Sequence, residues 1–176
     1  LPLSIRRQRQ MCIRDRSKNS WDFKAGVSGS FQNNAASPNT GVRPLIPSYN
    51  KFDAGVYAIV DKHIATDFSI EAGIRYDFST IEATKFYLKS RWNERDYSPE
   101  FASFIEGDFG TQWLTKPQFI FHNFSASIGT QYSFGTDYEW YFNVSRSVRN
   151  PNPSEFFSDG LHHSTGMIEL GDLRLQ

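Results

Sequence analysis

The sequence predicts an all-β chain, part of an antiparallel transmembrane β-barrel with long extracellular loops and short periplasmic turns. Three observations lead there. Apolar and polar residues alternate with period two in runs of about a dozen residues, longer than the roughly five or six of an ordinary soluble strand and close to the ~9–11 tilted residues that cross a bilayer. Long and short connections alternate strictly between those runs. The chain is aromatic-rich, 16% of its 176 residues with 16 phenylalanines, yet its mean hydropathy is −0.52. No stretch approaches the ~18 apolar residues of a membrane-crossing helix. A β-barrel escapes that test because polar lumen residues interleave with lipid-facing ones.

The clearest element is the stretch from Asn123 to Arg149. One face holds Phe124, Ala126, Ile128, Thr130, Tyr132 and Phe134, then Tyr138, Trp140, Phe142, Val144, Arg146 and Val148. The opposite face is small and polar, because successive strand side chains point to opposite sides. Gly135, Thr136 and Asp137 form the short glycine-containing connection an antiparallel hairpin needs. Tyr132, Phe134, Tyr138 and Trp140 would be the aromatic girdle around that turn.

At the start of the chain, Leu1 to Lys18 does not match the residues after it. It carries six basic residues against one acid, shows no strand alternation and has no signal-peptide apolar core. The run RQRQMCIRDR resembles translated adapter sequence, so residues 1–18 are read as a non-native or disordered basic segment and residues 19–176 as the partial barrel. A strand is expected at Trp21–Gln32, with Trp21, Phe23, Ala25, Val27 and Phe31 on one face. Asn33–Asn50 is a loop rich in Asn, Pro and Ser. Strands are expected at Lys51–Lys62 and Asp67–Asp77, joined by a short turn near Ile64–Thr66. Glu71, Arg75 and Asp77 share a polar face that a wet lumen tolerates and a dry core would not. Phe78–His122 reads as a long irregular loop, and a structureless stretch of this size counts against a compact soluble domain. After Arg149 comes another loop, ending on a weak strand around Met167–Leu175. The strand ends near Gln32, Lys51, Asp77, Asn123 and Arg149 would all face outward from the cell.

Composition excludes several functions. Formal net charge is +0, but without the first eighteen residues the body has 13 basic against 18 acidic groups, a net of about −5. An acidic body with no basic stripe argues against nucleic acid. The single cysteine, Cys12, excludes a disulfide framework and a cysteine-based zinc site. No nucleophile–base arrangement or phosphate-binding glycine loop can be assembled, so no enzyme activity, catalytic residue, cofactor or metal site is expected. Arg149, Glu155, His162 and His163 are the candidate ligand-binding residues at the extracellular mouth. For Arg149 and Glu155 a salt bridge or lumenal hydrogen bonds fixing loop to wall are preferred over ligand contact. His162 and His163 are adjacent, so on a strand they point to opposite faces and chelate one ion poorly. Arg146 falls on the lipid-facing side near the outer end, where it can snorkel to head groups.

About five strands cannot close a membrane-spanning barrel, for which about eight is the usual minimum. The sequence therefore reads as a fragment or part of an assembly. SRSVRNPNPSEFFSDGLHHSTGMIELGDLRL resembles the barrel of TonB-dependent outer-membrane receptors: a strand ending in Arg, a Pro-Ser-Glu segment with Phe-Phe, then a Glu-Leu-Gly-Asp-Leu segment opening the next strand. RPLIPSYNKFDAGVYAIVD and GIRYDF are similar to the same barrel, and the resemblance covers essentially Ser20 to Gln176. It implies a roughly 22-stranded barrel with an N-terminal plug and a TonB box, neither of which lies in this sequence. It further implies residence in the outer membrane of a Gram-negative bacterium, contact with outer-membrane lipid, and coupling to TonB through the missing N-terminal part. Uptake would be of a scarce small-molecule ligand, most often a ferric siderophore, haem, cobalamin or a glycan. Two rivals remain from the residues alone. A soluble antiparallel β-sandwich binding module would turn the apolar face inward, and a passive outer-membrane channel would share the architecture.

Overall fold

The computed structural model describes residues 6–18, 20–37, 44–135, 137–162 and 166–175. Its main body is an antiparallel wall in the order β1 (Arg6–Lys18), β2 (Trp21–Asn34), β3 (Ser48–Ala65), β4 (Phe68–Leu88), β7 (Gln118–Phe134) and β8 (Tyr138–Arg146). Neighbouring strands are joined in full register over most of their length: β2 to β3 from Trp21↔Lys62 to Asn34↔Tyr49, and β4 to β7 from Phe68↔Tyr132 to Glu82↔Gln118. β4 outruns β7, and its last four residues pair instead with β6 (Gln112–Thr115), which pairs with β5 (Ile105–Phe109).

The expected alternation of connections is present. β3 turns into β4 through Thr66 and Asp67, and β7 into β8 around Gly135. Gly135 has φ +59, a left-handed turn conformation that a side chain disfavours. Thr136 in that turn lies outside the described residues, as do 38–43 in the β2–β3 loop. The opposite end of the wall carries the long excursions.

Register places the apolar lists of every strand on one side. Phe31 faces Phe52, Val27 faces Val56, and Val56 faces Tyr76. The belt continues through Tyr76↔Phe124 and Ile128↔Val144. These side chains are not covered: Val56 is 51% exposed, Ile74 55% and Ile128 54%. A sandwich would bury them against a second sheet. Among the described residues the only other sheet is the short pair β9 (Asp159–His162) and β10 (Met167–Leu170). On β3 the apolar run starts after Asn50, at Phe52, and ends at Lys62, which lies over the Trp21 ring at 4.4 Å. That span is about 33 Å along a strand, or about 25 Å once tilted by ~40°, the height of a barrel's apolar band.

Over Arg6–Lys18 the backbone of the basic segment forms β1 and pairs with β2 along its whole length. An edge strand offers a row of unpaired N–H and C=O groups, and backbone pairing does not require side-chain alternation. Residues 1–5 lie outside the described residues. The expectation of an irregular Phe78–His122 is corrected. β4 continues to Leu88, followed by α1 (Lys89–Glu94), α2 (Ser98–Phe101), a 3-10 turn at Ala102–Phe104 and the β5–β6 hairpin, and β7 already starts at Gln118. The expected strands are present with shifted ends: β3 runs from Ser48 to Ala65, β8 stops at Arg146, and the weak last strand is Met167–Leu170. The expected loop after Arg149 instead holds a short helix at Pro153–Phe157 and a strand at Asp159–His162 that pairs with that last strand.

This excursion and α3 (Pro153–Phe157) build the only hydrophobic core among the described residues. Tyr49, Ile81, Ala83, Tyr87, Trp92, Tyr97, Phe101, Phe119, Phe156, Phe157 and Leu173 are buried together. The core grows from the polar side of the wall. Arg75 and Asp77 on β4 share a parity with Ser79, Ile81, Ala83, Lys85 and Tyr87, so one face changes from polar to buried apolar along a single strand. The cap thus leans over the inner face.

The cap is pinned by polar links as well. Asp159 accepts from Arg91 Nη1 at 2.6 Å and lies 3.6 Å from Lys85 Nζ, which also donates to the Phe157 carbonyl at 2.9 Å. Tyr97 Oη donates to Asp172 at 2.9 Å and accepts from Arg95 and from the Leu173 N–H. Burial pushes the Tyr97 hydroxyl above its ordinary pKa.

Candidate functional site

Below the cap, the inner face of β2, β3, β4 and β7 forms a concavity of about 430 Å³. Cross-strand register brings its lining together in rows: Ser30 faces Asp53, Ser28 shares a row with Asp77 and Asn123, and Arg75 stands one row further along. Lys51, Asp53, Arg75, Asp77, Asn123 and Arg149 all line it. Four of these, Lys51, Asp77, Asn123 and Arg149, are the positions the sequence reads as strand ends at the mouth, although β4 and β7 run past Asp77 and Asn123 to Leu88 and Gln118.

Each charge here is held by named partners. Asp53 accepts from Ser30 Oγ at 2.9 Å, Ser79 Oγ at 2.7 Å and Lys51 Nζ at 3.0 Å. Arg75 grips Asp77 with two nitrogens, Nε at 2.6 Å and Nη2 at 2.5 Å, and Nη2 also reaches Ser28 Oγ at 3.2 Å. Such two-point pairing fixes orientation as well as charge. Gly55 leaves room for the pair where it sits: a Cβ there would lie 2.4 Å from Asp77 Oδ1 and 2.7 Å from Arg75 Nη2, and both side-chain ends would have to shift. The result is a rigid wall of both signs, suited to hydrogen-bonding a polar solute. No element of it is arranged as a nucleophile with its base.

The sequence-predicted residues divide. Arg149 lines the concavity and pairs with Glu155 at the first turn of α3, Nη2 to Oε1 at 2.7 Å and Nη1 to Oε2 at 3.0 Å. Glu155 also accepts the Asn152 N–H at 2.7 Å, completing a capping box with the Asn152 side chain. The Arg149 guanidinium, then the Asn152 N–H, hold the Glu155 carboxyl down at a pKa of about 2. The loop-to-wall salt bridge is therefore present. The backbone of His162 ends β9 opposite Met167, and His163 lies outside the described residues.

The sequence pattern puts the ionisable groups of Arg75 and Asp77 on one polar face but does not group them with Lys51, Asp53 and Ser30. Parity along each strand is the available signal. Which rows meet is set by register, and that is not visible strand by strand.

Comparison with known proteins now bears on the chain. Residues 11–175 match the family model described as TonB dependent receptor-like, beta-barrel. No curated protein matches significantly. Among solved structures, the chain is similar to a double mutant of the Serratia marcescens hemophore receptor HasR in complex with its hemophore HasA and heme. The TM-score is 0.61 at 17% identity, covering 97% of this chain and 27% of that one. The chain thus spans about a quarter of the HasR chain, and at this identity the likeness speaks for fold alone. With the family model covering nearly the whole length, and a wall whose apolar face is outward and polar face inward, the chain belongs to the TonB-dependent receptor-like β-barrel family.

Proposed function

We propose that the chain is part of the barrel of an outer-membrane receptor of a Gram-negative bacterium, and that its inner wall lines the path of a ligand taken up by TonB-coupled transport. The observation that carries this is the reversal of faces. An uncovered apolar belt crosses five adjacent strands while fixed charges and hydroxyls line the other side, as a lipid-facing exterior and a wet interior require. The ligand is a scarce iron-bearing compound, such as a ferric siderophore or haem. The similar HasR is a hemophore receptor solved with heme, which supports haem alongside the siderophore reading. TonB engages through a part of the receptor that this chain does not include, and the role is transport rather than catalysis.

The test is uptake of labelled iron, presented as haem or as a ferric siderophore, by cells making the receptor that contains this chain. Saturable uptake that disappears without TonB is the expected result. Unsaturable entry indifferent to TonB would reassign the wall to a passive channel, and recovery of the protein in the soluble fraction would sink both readings.

A further inference from the structure

The end of the wall opposite the cap carries a second polar cluster, away from the concavity. Asp61 and His63 are two residues apart on β3 and share its inner face, and Asp22 on β2 stands directly opposite Asp61. His63 Nε2 lies 3.7 Å from Asp22 Oδ2 and 3.6 Å from Asp61 Oδ1. One donor atom from each of the three falls within 4.8 Å of the others.

Two observations separate this group from ordinary surface acids. Asp61 Oδ1 is shut off from solvent and accepts no hydrogen bond among the described residues, a costly state for a carboxylate oxygen. Asp22, Asp61 and Glu71 also stand in one row across β2, β3 and β4, where like charges directly opposite destabilise a sheet. Among the described residues the only basic group within ion-pair distance of either aspartate is His63. Lys24, one row further along β2, forms no ion pair with them, and Lys62 turns to the outer face against Trp21 and Ser20.

The backbone holds the group in place. The β3–β4 register shifts between His63 and Ala65, a bulge of the kind that re-aims a side chain. The His63 N–H donates to the Ser20 carbonyl at 3.0 Å, and Lys62 Nζ donates to Ser20 Oγ at 3.0 Å. Both tie the end of β3 to the start of β2.

We propose that Asp22, Asp61 and His63 bind a divalent first-row transition cation, with Zn²⁺ as the best match. Two carboxylate oxygens and one imidazole nitrogen form a borderline donor set. Bonds of ~2.0–2.1 Å to a tetrahedral ion put donors about 3.3 Å apart, so the two His–Asp separations need to close by only a few tenths of an ångström. His63 and Asp22 remain partly exposed, leaving room for water at the open position. The cation removes the like-charge repulsion of the row and satisfies Asp61 Oδ1. The site needs only the pairing of β2 with β3, so its failure and the failure of the transport reading are separable.

The test is a Zn²⁺ titration of the full chain folded in detergent, with the visible spectrum of Co²⁺ reporting the donor set. One saturable equivalent is expected, weakened about 10–100-fold or more by Asp61→Asn and by His63→Ala. Glu106→Gln, in the cap, should leave it unchanged. Asp22→Asn keeps the side-chain shape and gives the same reading should His63→Ala disturb the bulge. Absence of saturable binding by the folded chain would overturn the proposal. So would equal affinity in Asp61→Asn and Asp22→Asn, or equal affinity in the urea-unfolded chain, where no register exists to assemble the three.

Discussion

The wall and the cap are built from the same aromatic-rich chain by opposite rules. In the wall, Phe31, Phe52, Val56, Ile74 and Ile128 point outward uncovered, and order comes from the backbone ladder and polar pairs such as Arg75–Asp77. In the cap, Trp92, Tyr97, Phe156 and Phe157 are completely withdrawn from solvent, and order comes from apolar burial as in any water-soluble domain. Both regions share β4, whose inner face passes from Asp77 to Ile81 within four residues. The difference shows that what counts as inside is set by the solvent at each height of the strand, not by the strand.

The largest test of this contrast removes the cap's centre. Trp92 packs edge-on against Tyr87 and Tyr97 with ring centroids 5.4 and 5.3 Å apart, and its Nε1–H donates to Ser98 at 3.1 Å. Trp92→Ala should cost about 3–5 kcal/mol of cap stability. Limited proteolysis should then cut within 89–116 while the wall strands stay protected. Equal loss of protection in both regions would show that they fold as one unit.

The next test acts on the wall. On a water-exposed strand Val56→Arg would change stability by less than about 0.5 kcal/mol. At the middle of a lipid-facing belt it should cost about 2–4 kcal/mol, measured as a lower denaturant midpoint in lipid bilayers. A negligible cost would mean that the apolar face does not meet lipid, and the contrast with the cap would collapse.

The wall was legible in the sequence because parity is local: Phe124, Ala126 and Ile128 declare one face without reference to any other strand. The turn at Gly135 and the alternation of long and short connections were equally local. The cap was not. Its core draws on Tyr49, Ile81, Trp92, Phe119, Phe156 and Leu173, which no window brings together. Its helices, six residues at Lys89–Glu94 and four at Ser98–Phe101, are too short to show a helical period. The upper half of β4 was hidden for a related reason. Its inner residues turn from Arg75 and Asp77 to Ile81 and Ala83, so a reader following one polar face sees the strand end. Of the candidate site, the Arg149–Glu155 link could be anticipated from their nearness in the chain. The meeting of Asp22 with Asp61 and His63 needs the β2–β3 register, which no single strand carries.

The smallest expected effect lies at the joint between the two regions, where Arg149 meets Glu155. The Glu155 carboxyl is held at a pKa of about 2, below its ordinary 4.5, first by Arg149 and then by the Asn152 N–H. A depressed folded-state pKa means that the contribution is complete above about 4.5 and is lost as pH falls through about 2. The pair is largely exposed, so solvent screens it and the effect on global stability is slight. Its local consequence is specific, because the same carboxylate caps α3, which delivers Phe156 and Phe157 to the cap core. Amide exchange at 152–157 should therefore quicken between pH 4.5 and 2, beyond the intrinsic pH trend seen at wall amides such as Ile74 and Ile128. Glu155→Gln should abolish that step, and Arg149→Met should move its midpoint up towards 4.5. A step that survives Glu155→Gln would place the joint elsewhere.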